Sequence, residues 1–148
     1  MPTTKDQLHG SWRVVSFEAR AGNKAGYPLG PRPGGYIGFN EARFWVMLID
    51  TDRRPPANVS AITDAEAASF LRSSAAYTGL YRFDEAATPD GNKLTIQVDA
   101  ASNEALSGSE RIFYVRVDGN RLFFKAPSVF VPVTGQTTTV ELTFVKAD

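Results

Sequence analysis

The chain of 148 residues contains no cysteine and only one histidine. The absence of cysteine excludes disulfide bonds, thiolate nucleophiles and thiolate metal ligands. The one histidine, His9, lies just before the first predicted strand, which excludes a Ser-His-Asp triad, a histidine metal cluster and an imidazole base inside the fold. A metal site could be built only from carboxylates, and these are scattered along the chain. We therefore expect neither a metal nor a cofactor.

An excess of one charge, long apolar runs and phosphate-binding loops are also lacking. Lysine plus arginine and aspartate plus glutamate number 16 each, so a net charge of zero does not attract nucleic acid or an anionic membrane. No apolar run is long enough to span a membrane, and the polar start, MPTTKDQLHG, lacks the apolar segment of a signal peptide. The glycines follow neither Walker nor Rossmann spacing. These features predict a cytoplasmic protein without a nucleic-acid, nucleotide or membrane partner.

What the sequence does contain is a series of alternating segments typical of β-strands. In the first, residues 8–20, continuous alternation puts Trp12, Ser16 and Glu18 on one face. Residues 21–35 carry five glycines and three prolines, which predicts a long loop. Further strands are predicted at residues 36–39, 43–50, 76–84, 93–100, 109–118, 121–126 and 137–145.

One segment predicts a helix. Residues 63–66 (TDAE) form a capping box, in which the Thr63 hydroxyl and the Glu66 carboxylate each accept a backbone N–H, so a helix is predicted over residues 64–74. We predict a single all-β domain over residues 1–148. Its fold is an eight-stranded antiparallel up-and-down barrel with one helix between strands 3 and 4, and a two-sheet sandwich is the alternative.

Several short motifs occur in a fixed order along the chain. They are residues 8–18 (LHGSWRVVSFE), 27–30 (YPLG), 35–36 (GY), 76–81 (AYTGLY) and 118–122 (DGNRL). In this order and spacing, over nearly the whole chain, they resemble the bacterial and fungal lipocalin-like domain family. The resemblance implies an eight-stranded calycin-type barrel in which Gly10 and Trp12 close one end and Lys146 covers the Trp12 ring in a cation–π contact.

Two positions depart from the pattern of that family. Many members carry a histidine on the strand at residues 94–98 and an arginine near position 113, whereas this chain has Thr95, Gln97 and Phe113 there. The resemblance therefore does not imply a chemistry that rests on such a pair.

Polar and aromatic side chains that alternate into a barrel make up the candidate site. Tyr77 and Tyr81 share one face of their strand, and Arg111 and Phe113 share one face of another. An inward Arg111 would be a buried cation, which must pair with an anionic ligand group or with a carboxylate, either Glu18 or Glu110. The alternative is that Arg111 lies on the outer surface.

A ligand inside a barrel of this size requires small residues at some inward positions. Gly79, Ser16 and Thr95 are the candidates for that room. The candidate ligand-binding residues are Arg111, Tyr77, Tyr81, Trp45, Phe113, Gln97 and Ser16.

Three functions remain open at this point. In the first, the barrel binds a small hydrophobic or aromatic molecule, anionic or carbonyl-bearing, whose polar end is fixed by tyrosine and arginine. The alternative is a cofactor-independent isomerase or cyclase, in which Tyr77 or Tyr81 acts as acid, Glu18 or another buried carboxylate acts as base and Arg111 stabilises the developing charge. The third is a structural or interaction role, which only the strand that is apolar on both faces favours. A carboxylate beside a tyrosine in the cavity favours the enzyme, whereas an apolar lining favours the binding protein.

The third predicted strand is apolar on both faces. Residues 44–49 read FWVMLI, so one face fits the core and the other needs cover by the helix, a loop or a second copy of the chain. Trp45 lies either in the cavity wall or on this external face. We expect the helix or a homodimer partner to cover it.

Overall fold

The computed structural model describes residues 3–22, 24–131 and 136–147, with side chains described outside residues 127–137. The described chain is mostly strand. The strands are β1 (Gly10–Ala21), β2 (Lys24–Gly26), β3 (Pro33–Phe39), β4 (Arg43–Asp50), β5 (Ser74–Thr88), β6 (Gly91–Ala101), β7 (Glu110–Asp118), β8 (Arg121–Val131) and β9 (Gln136–Lys146), with one α-helix, α1 (Asp64–Arg72). Two short 3₁₀ turns lie at Lys5–Leu8 and Glu104–Leu106.

Eight of these strands close into a barrel. Sequential neighbours from β3 to β9 pair antiparallel, β1 pairs with β3, and the pairing of β1 with β9 closes the ring. The predicted eight-stranded antiparallel barrel is therefore confirmed, and α1 lies between the third and fourth strands of the ring, which are β4 and β5. The additional strand β2 pairs only with β1, within the segment predicted to be all loop.

Helix α1 begins where the capping box predicts. The Thr63 hydroxyl accepts the Glu66 N–H at 3.1 Å, and the Glu66 carboxylate accepts the Thr63 N–H at 2.9 Å and the Ala57 N–H at 3.0 Å. These backbone donors lower the pKa of Glu66. No residue of α1 is fully buried, and Leu71 is half exposed, so the helix does not pack tightly on the barrel.

One end of the barrel is closed by Trp12, as the resemblance implies. Its ring is 1% exposed, and its Nε1 donates to the Leu8 carbonyl at 2.9 Å. The Lys146 ammonium lies 4.5 Å above the centre of the ring and donates a hydrogen bond to the His9 carbonyl. The N-terminal 3₁₀ turn and the last strand therefore meet over the same aromatic ring.

A β-bulge in β1 changes which residues face inward. Val14 pairs with Phe144 but Ser16 pairs with Thr143, so the residue between them is extra and the alternation reverses after it. Trp12 and Val14 point into the barrel before the bulge, whereas Phe17 does so after it. Continuous alternation, as assumed from the sequence, is wrong for the second half of this strand.

The outer face of β4 remains uncovered by the described residues. Trp45 is 39% exposed and Met47 is 59% exposed, beside Tyr36 on β3. Trp45 lies flat over Gly38, where an added Cβ would come within 2.2 Å of the indole ring. The expectation that α1 covers this face is therefore wrong, and the exposed aromatic and methionine side chains form an external apolar patch.

Candidate ligand cavity

A cavity of about 200 Å³ lies inside the barrel, between the Trp12 end and the opposite, open end. Its wall is mostly aromatic. The aromatic lining residues are Phe17, Phe44, Tyr77, Phe113, Phe124 and Phe144. Several of these rings touch, with centroid distances of 5.3 Å between Phe113 and Phe124 and 5.5 Å between Phe124 and Phe144. Such edge and tilted contacts fix the ring orientations and give the cavity a defined shape.

Arg111 is the charged residue among those that line this cavity. It pairs across the sheet with the fully buried Ile96, so its side chain shares the inner face. The guanidinium carbon lies 5.7 Å from the Phe113 ring centre and 6.0 Å from the Tyr77 ring centre. Both contacts are within cation–π range. The sequence left the direction of Arg111 open, and the register of β7 places it inside.

Tyr77 lies next to Arg111, with its ring 5.6 Å from that of Phe44. Tyr77 lines the cavity and is partly buried where it packs against the core. This burial raises the pKa of the Tyr77 hydroxyl, although the positive charge of Arg111 acts in the opposite direction. The hydroxyl is therefore protonated at neutral pH and can donate a hydrogen bond into the cavity.

Neither carboxylate considered as a partner for Arg111 contacts it. Glu18 lies beyond the bulge on the outer face, where it pairs with Arg20 at 2.8 Å. Glu110 pairs with the exposed Arg82 at 3.8 Å. Among the described residues, no ion pair includes Arg111 and no lining residue is a carboxylate. The prediction that Glu18 shares the inner face with Trp12 is wrong because of the bulge.

The chain matches the family model described as the lipocalin-like domain over residues 9–147. This match spans nearly the whole chain and agrees with the closed barrel. The chain belongs to the lipocalin-like domain family. Comparison with curated proteins gives no match, and neither does comparison with solved structures. A lipocalin-like barrel suits the binding of small hydrophobic molecules in general, and the family alone does not identify the ligand.

Tyr81 belongs to the closed end of this lipocalin-like barrel and does not line the cavity. Its hydroxyl donates to the Asn40 carbonyl at 2.6 Å, and its ring packs edge-on against Phe39 at 5.3 Å. Burial, followed by the negative charges of Glu41 and Asp6, raises the pKa of Tyr81 to about 12. The hydroxyl is already bonded, so Tyr81 serves packing at the position where a ligand or acid role was predicted.

Three other candidates lie on the outside of the lipocalin-like barrel. Trp45 is part of the external patch, and Ser16 pairs with Thr143 on the outer face of β1 and β9. Gln97 is exposed, with its amide donating to the Gly108 carbonyl at 3.4 Å. The alternation on β6 accounts for the outward position of Gln97, and the bulge in β1 accounts for that of Ser16.

The room inside the barrel does not come from the small residues expected. An added Cβ at Gly79 would lie 2.2 Å from the Gln97 carbonyl oxygen, so this glycine permits the close approach of β5 and β6 at a second bulge. Thr95 lies in a shallow outer groove beside Arg82. Neither position contributes to the cavity.

Small side chains near the open end provide the space, and sequence reasoning missed them. They are Ala75 at the start of β5, Ala126 on β8 and Val140 on β9. Leu106, on the 3₁₀ turn, also reaches the cavity. No local signal marks these residues, because their position depends on how the ring closes.

Within residues 3–22, 24–131 and 136–147, no group of three or more histidine, aspartate or glutamate side chains is placed to hold a metal ion. None of the described helices has the length and apolar character needed to cross a bilayer.

Proposed function

We propose that this lipocalin-like barrel binds one small hydrophobic or aromatic molecule that carries an anionic or carbonyl group. The observation that carries the proposal is Arg111, a cation inside an otherwise apolar and aromatic cavity. Arg111 is partly buried, and a cation that loses part of its hydration is less favourable unless it is paired. Because no described carboxylate pairs with Arg111, a ligand oxygen is its natural partner.

The same cavity supports binding better than acid–base catalysis. An isomerase or cyclase of the kind considered above needs a base near the acid. Tyr77 lines the cavity, but Glu18, the base expected from the sequence, lies on the outer face and pairs with Arg20. The raised pKa of Tyr77 makes its hydroxyl a hydrogen-bond donor and a poor base at neutral pH. Tyr77 and Arg111 are both hydrogen-bond donors, and both can hold an acceptor on the ligand.

A variant that fills the cavity tests this proposal. Ala75 lines the cavity, so Ala75→Phe should place a ring in the ligand space, whereas Ala87→Phe adds the same ring at an exposed position. Toluene, acetophenone and benzoate serve as apolar, carbonyl and anionic probes, with binding measured by isothermal titration calorimetry. We expect at least one probe to bind the wild type and the Ala87→Phe control but not Ala75→Phe.

Two results contradict the proposal. One is that none of the three probes binds the wild type, which would indicate a filled barrel. The other is equal binding by Ala75→Phe and the wild type, which would place the bound probe outside the cavity. Native mass spectrometry of the purified wild type and of the purified Ala75→Phe variant gives a second measurement, because it detects any small molecule that co-purifies with the protein.

A further inference from the structure

We propose that the ligand of the cavity is a single-ring aromatic carboxylate of about the size of benzoate, with the carboxylate against Arg111 and Tyr77 and the ring among the phenylalanines. This inference rests on the proposed function, since it specifies what the same cavity binds. Three properties of the cavity lead to it: its volume, its positive charge with the hydrogen bonds that it donates, and its aromatic wall.

The volume limits the ligand to one ring. The cavity measures about 200 Å³. An apolar protein cavity of roughly 150 Å³ accommodates benzene, so the additional space suits one small polar group on one ring. By the same proportion, the ten carbons of two fused rings call for roughly 250 Å³. The packing of Phe124 against Phe113 and Phe144 leaves little freedom for the wall to expand.

The positive charge of Arg111 favours a ligand with an anionic group over a ligand with a neutral carbonyl. A guanidinium carries a permanent positive charge, and Arg111 lies against apolar and aromatic side chains, where a nearby anion compensates that charge. A neutral carbonyl accepts a hydrogen bond but leaves the positive charge uncompensated in apolar surroundings. A carboxylate does both, and its planar pair of oxygens matches the guanidinium fork.

The hydrogen-bond donors also match a carboxylate. The guanidinium donates only, and the Tyr77 hydroxyl, protonated because burial raises its pKa, donates as well. The two groups are neighbours, with the guanidinium carbon 6.0 Å from the Tyr77 ring centre. A ligand group beside this pair accepts from both donors, which a carboxylate does through its two oxygens.

The wall favours an aromatic ring over a saturated one. Phe44 and Phe113 border the Arg111 and Tyr77 pair, so a ring attached directly to the carboxylate reaches aromatic faces and edges. Aromatic pairs gain attraction beyond that of the buried area alone when they stack offset or edge to face. A saturated ring of the same size lacks this contribution.

Four probes separate these three properties in the wild-type protein by isothermal titration calorimetry. Benzoate is the expected ligand, benzamide has the same shape without the charge, 2-naphthoate adds a second ring, and cyclohexanecarboxylate replaces the aromatic ring. We expect benzoate to bind at least about tenfold more tightly than benzamide, the ratio that corresponds to a hydrogen bond with a charged group. We expect 2-naphthoate and cyclohexanecarboxylate to bind more weakly than benzoate.

Variants then assign the binding to the two donors. Arg111→Met should weaken benzoate by about 10- to 150-fold and abolish the preference over benzamide. Tyr77→Phe, which removes only the hydroxyl, should weaken benzoate by about tenfold. Arg82→Met is the matched control, because Arg82 lies on the outer face with a side chain 74% exposed, and it should leave all affinities unchanged.

The failure of this inference is distinguishable from the failure of the proposed function. If the wild type binds benzamide, 2-naphthoate or cyclohexanecarboxylate as tightly as benzoate or more tightly, the proposed class of ligand is wrong. The proposed function, that the cavity binds a small molecule, is not affected by that result. Absence of binding for all four, together with toluene and acetophenone, overturns both. The comparison of probes on the wild type needs no variant, so it stands even if a substitution unfolds the barrel.

Discussion

Replacement of Trp12 by alanine should lower the free energy of unfolding by about 3–5 kcal/mol, the range for deleting a buried large aromatic side chain. The ring is 1% exposed, so nearly all of its surface is removed from water on folding. An aromatic side chain of this kind buries roughly 150–250 Å², which at about 25 cal/mol per Å² gives about 4–6 kcal/mol as an upper value. The Nε1 hydrogen bond to the Leu8 carbonyl is lost at the same time.

The Lys146 ammonium above the ring adds a separable contribution. At 4.5 Å from the ring centre, this cation–π contact should contribute about 0.5–2 kcal/mol. A double-mutant cycle of Trp12→Ala and Lys146→Met isolates it, because the coupling energy excludes what each side chain contributes to other contacts. Lys146 also donates to the His9 carbonyl, and the cycle removes that bond from the coupling.

Urea unfolding followed by far-UV circular dichroism measures these quantities. The control is Trp45→Ala, which removes the same side chain type from a position 39% exposed and should cost less than Trp12→Ala, because less of its surface is removed from water on folding. If Trp12→Ala costs no more than Trp45→Ala, then the closed end does not depend on Trp12 and the reasoning from burial is refuted. If Trp12→Ala leaves no folded protein to measure, Trp12→Phe gives a smaller cost of the same sign.

Three further predictions concern other parts of the barrel. Because burial raises the pKa of Tyr81 to about 12 from 10.0, the native state holds this proton more tightly than the unfolded chain. The stability that results is complete below pH 10.0 and is lost as the pH rises towards about 12, so urea midpoints of Tyr81→Phe should fall less over that range than those of the wild type. Thr63→Ala removes the hydroxyl that caps α1 and should cost about 0.5–2 kcal/mol in the same assay, and Thr63→Ser should restore most of it. The external patch with Trp45 and Met47 is proposed as a homodimer contact, so sedimentation equilibrium should show dimer for the wild type and monomer for Met47→Lys, whereas a monomeric wild type at high concentration would oppose it.

The elements of the fold could be predicted because their signals are local. The capping box at Thr63 and Glu66 marks the start of α1. Gly119, in the motif at residues 118–122, has a positive φ of 61° and lies in the turn between β7 and β8, whose strands the sequence predicts on either side. Alternation on β7 is unbroken, so the sequence correctly groups Arg111 with Phe113. Trp12 at the closed end follows from the resemblance and not from any property of the strand alone.

The rest of the site could not be predicted, since it depends on register and on ring closure. The bulge between Val14 and Ser16 contains no glycine or proline, so nothing in the sequence indicates that Phe17 replaces Ser16 and Glu18 on the inner face. Leu106 enters the cavity from a turn. The alternation of side chains predicts which face of a strand a residue occupies only where the hydrogen-bond ladder with the neighbouring strand is continuous.

The single extra residue in β1 therefore controls the chemical character of the cavity. If Val15 were paired like its neighbours, the alternation would run on through β1 and would turn Ser16 and Glu18 inward in place of Phe17. A carboxylate would then share the interior with Arg111 and Tyr77, and the barrel would contain its own counterion. A shift of one residue in the pairing of β1 therefore separates a cavity without a carboxylate from a cavity that carries one.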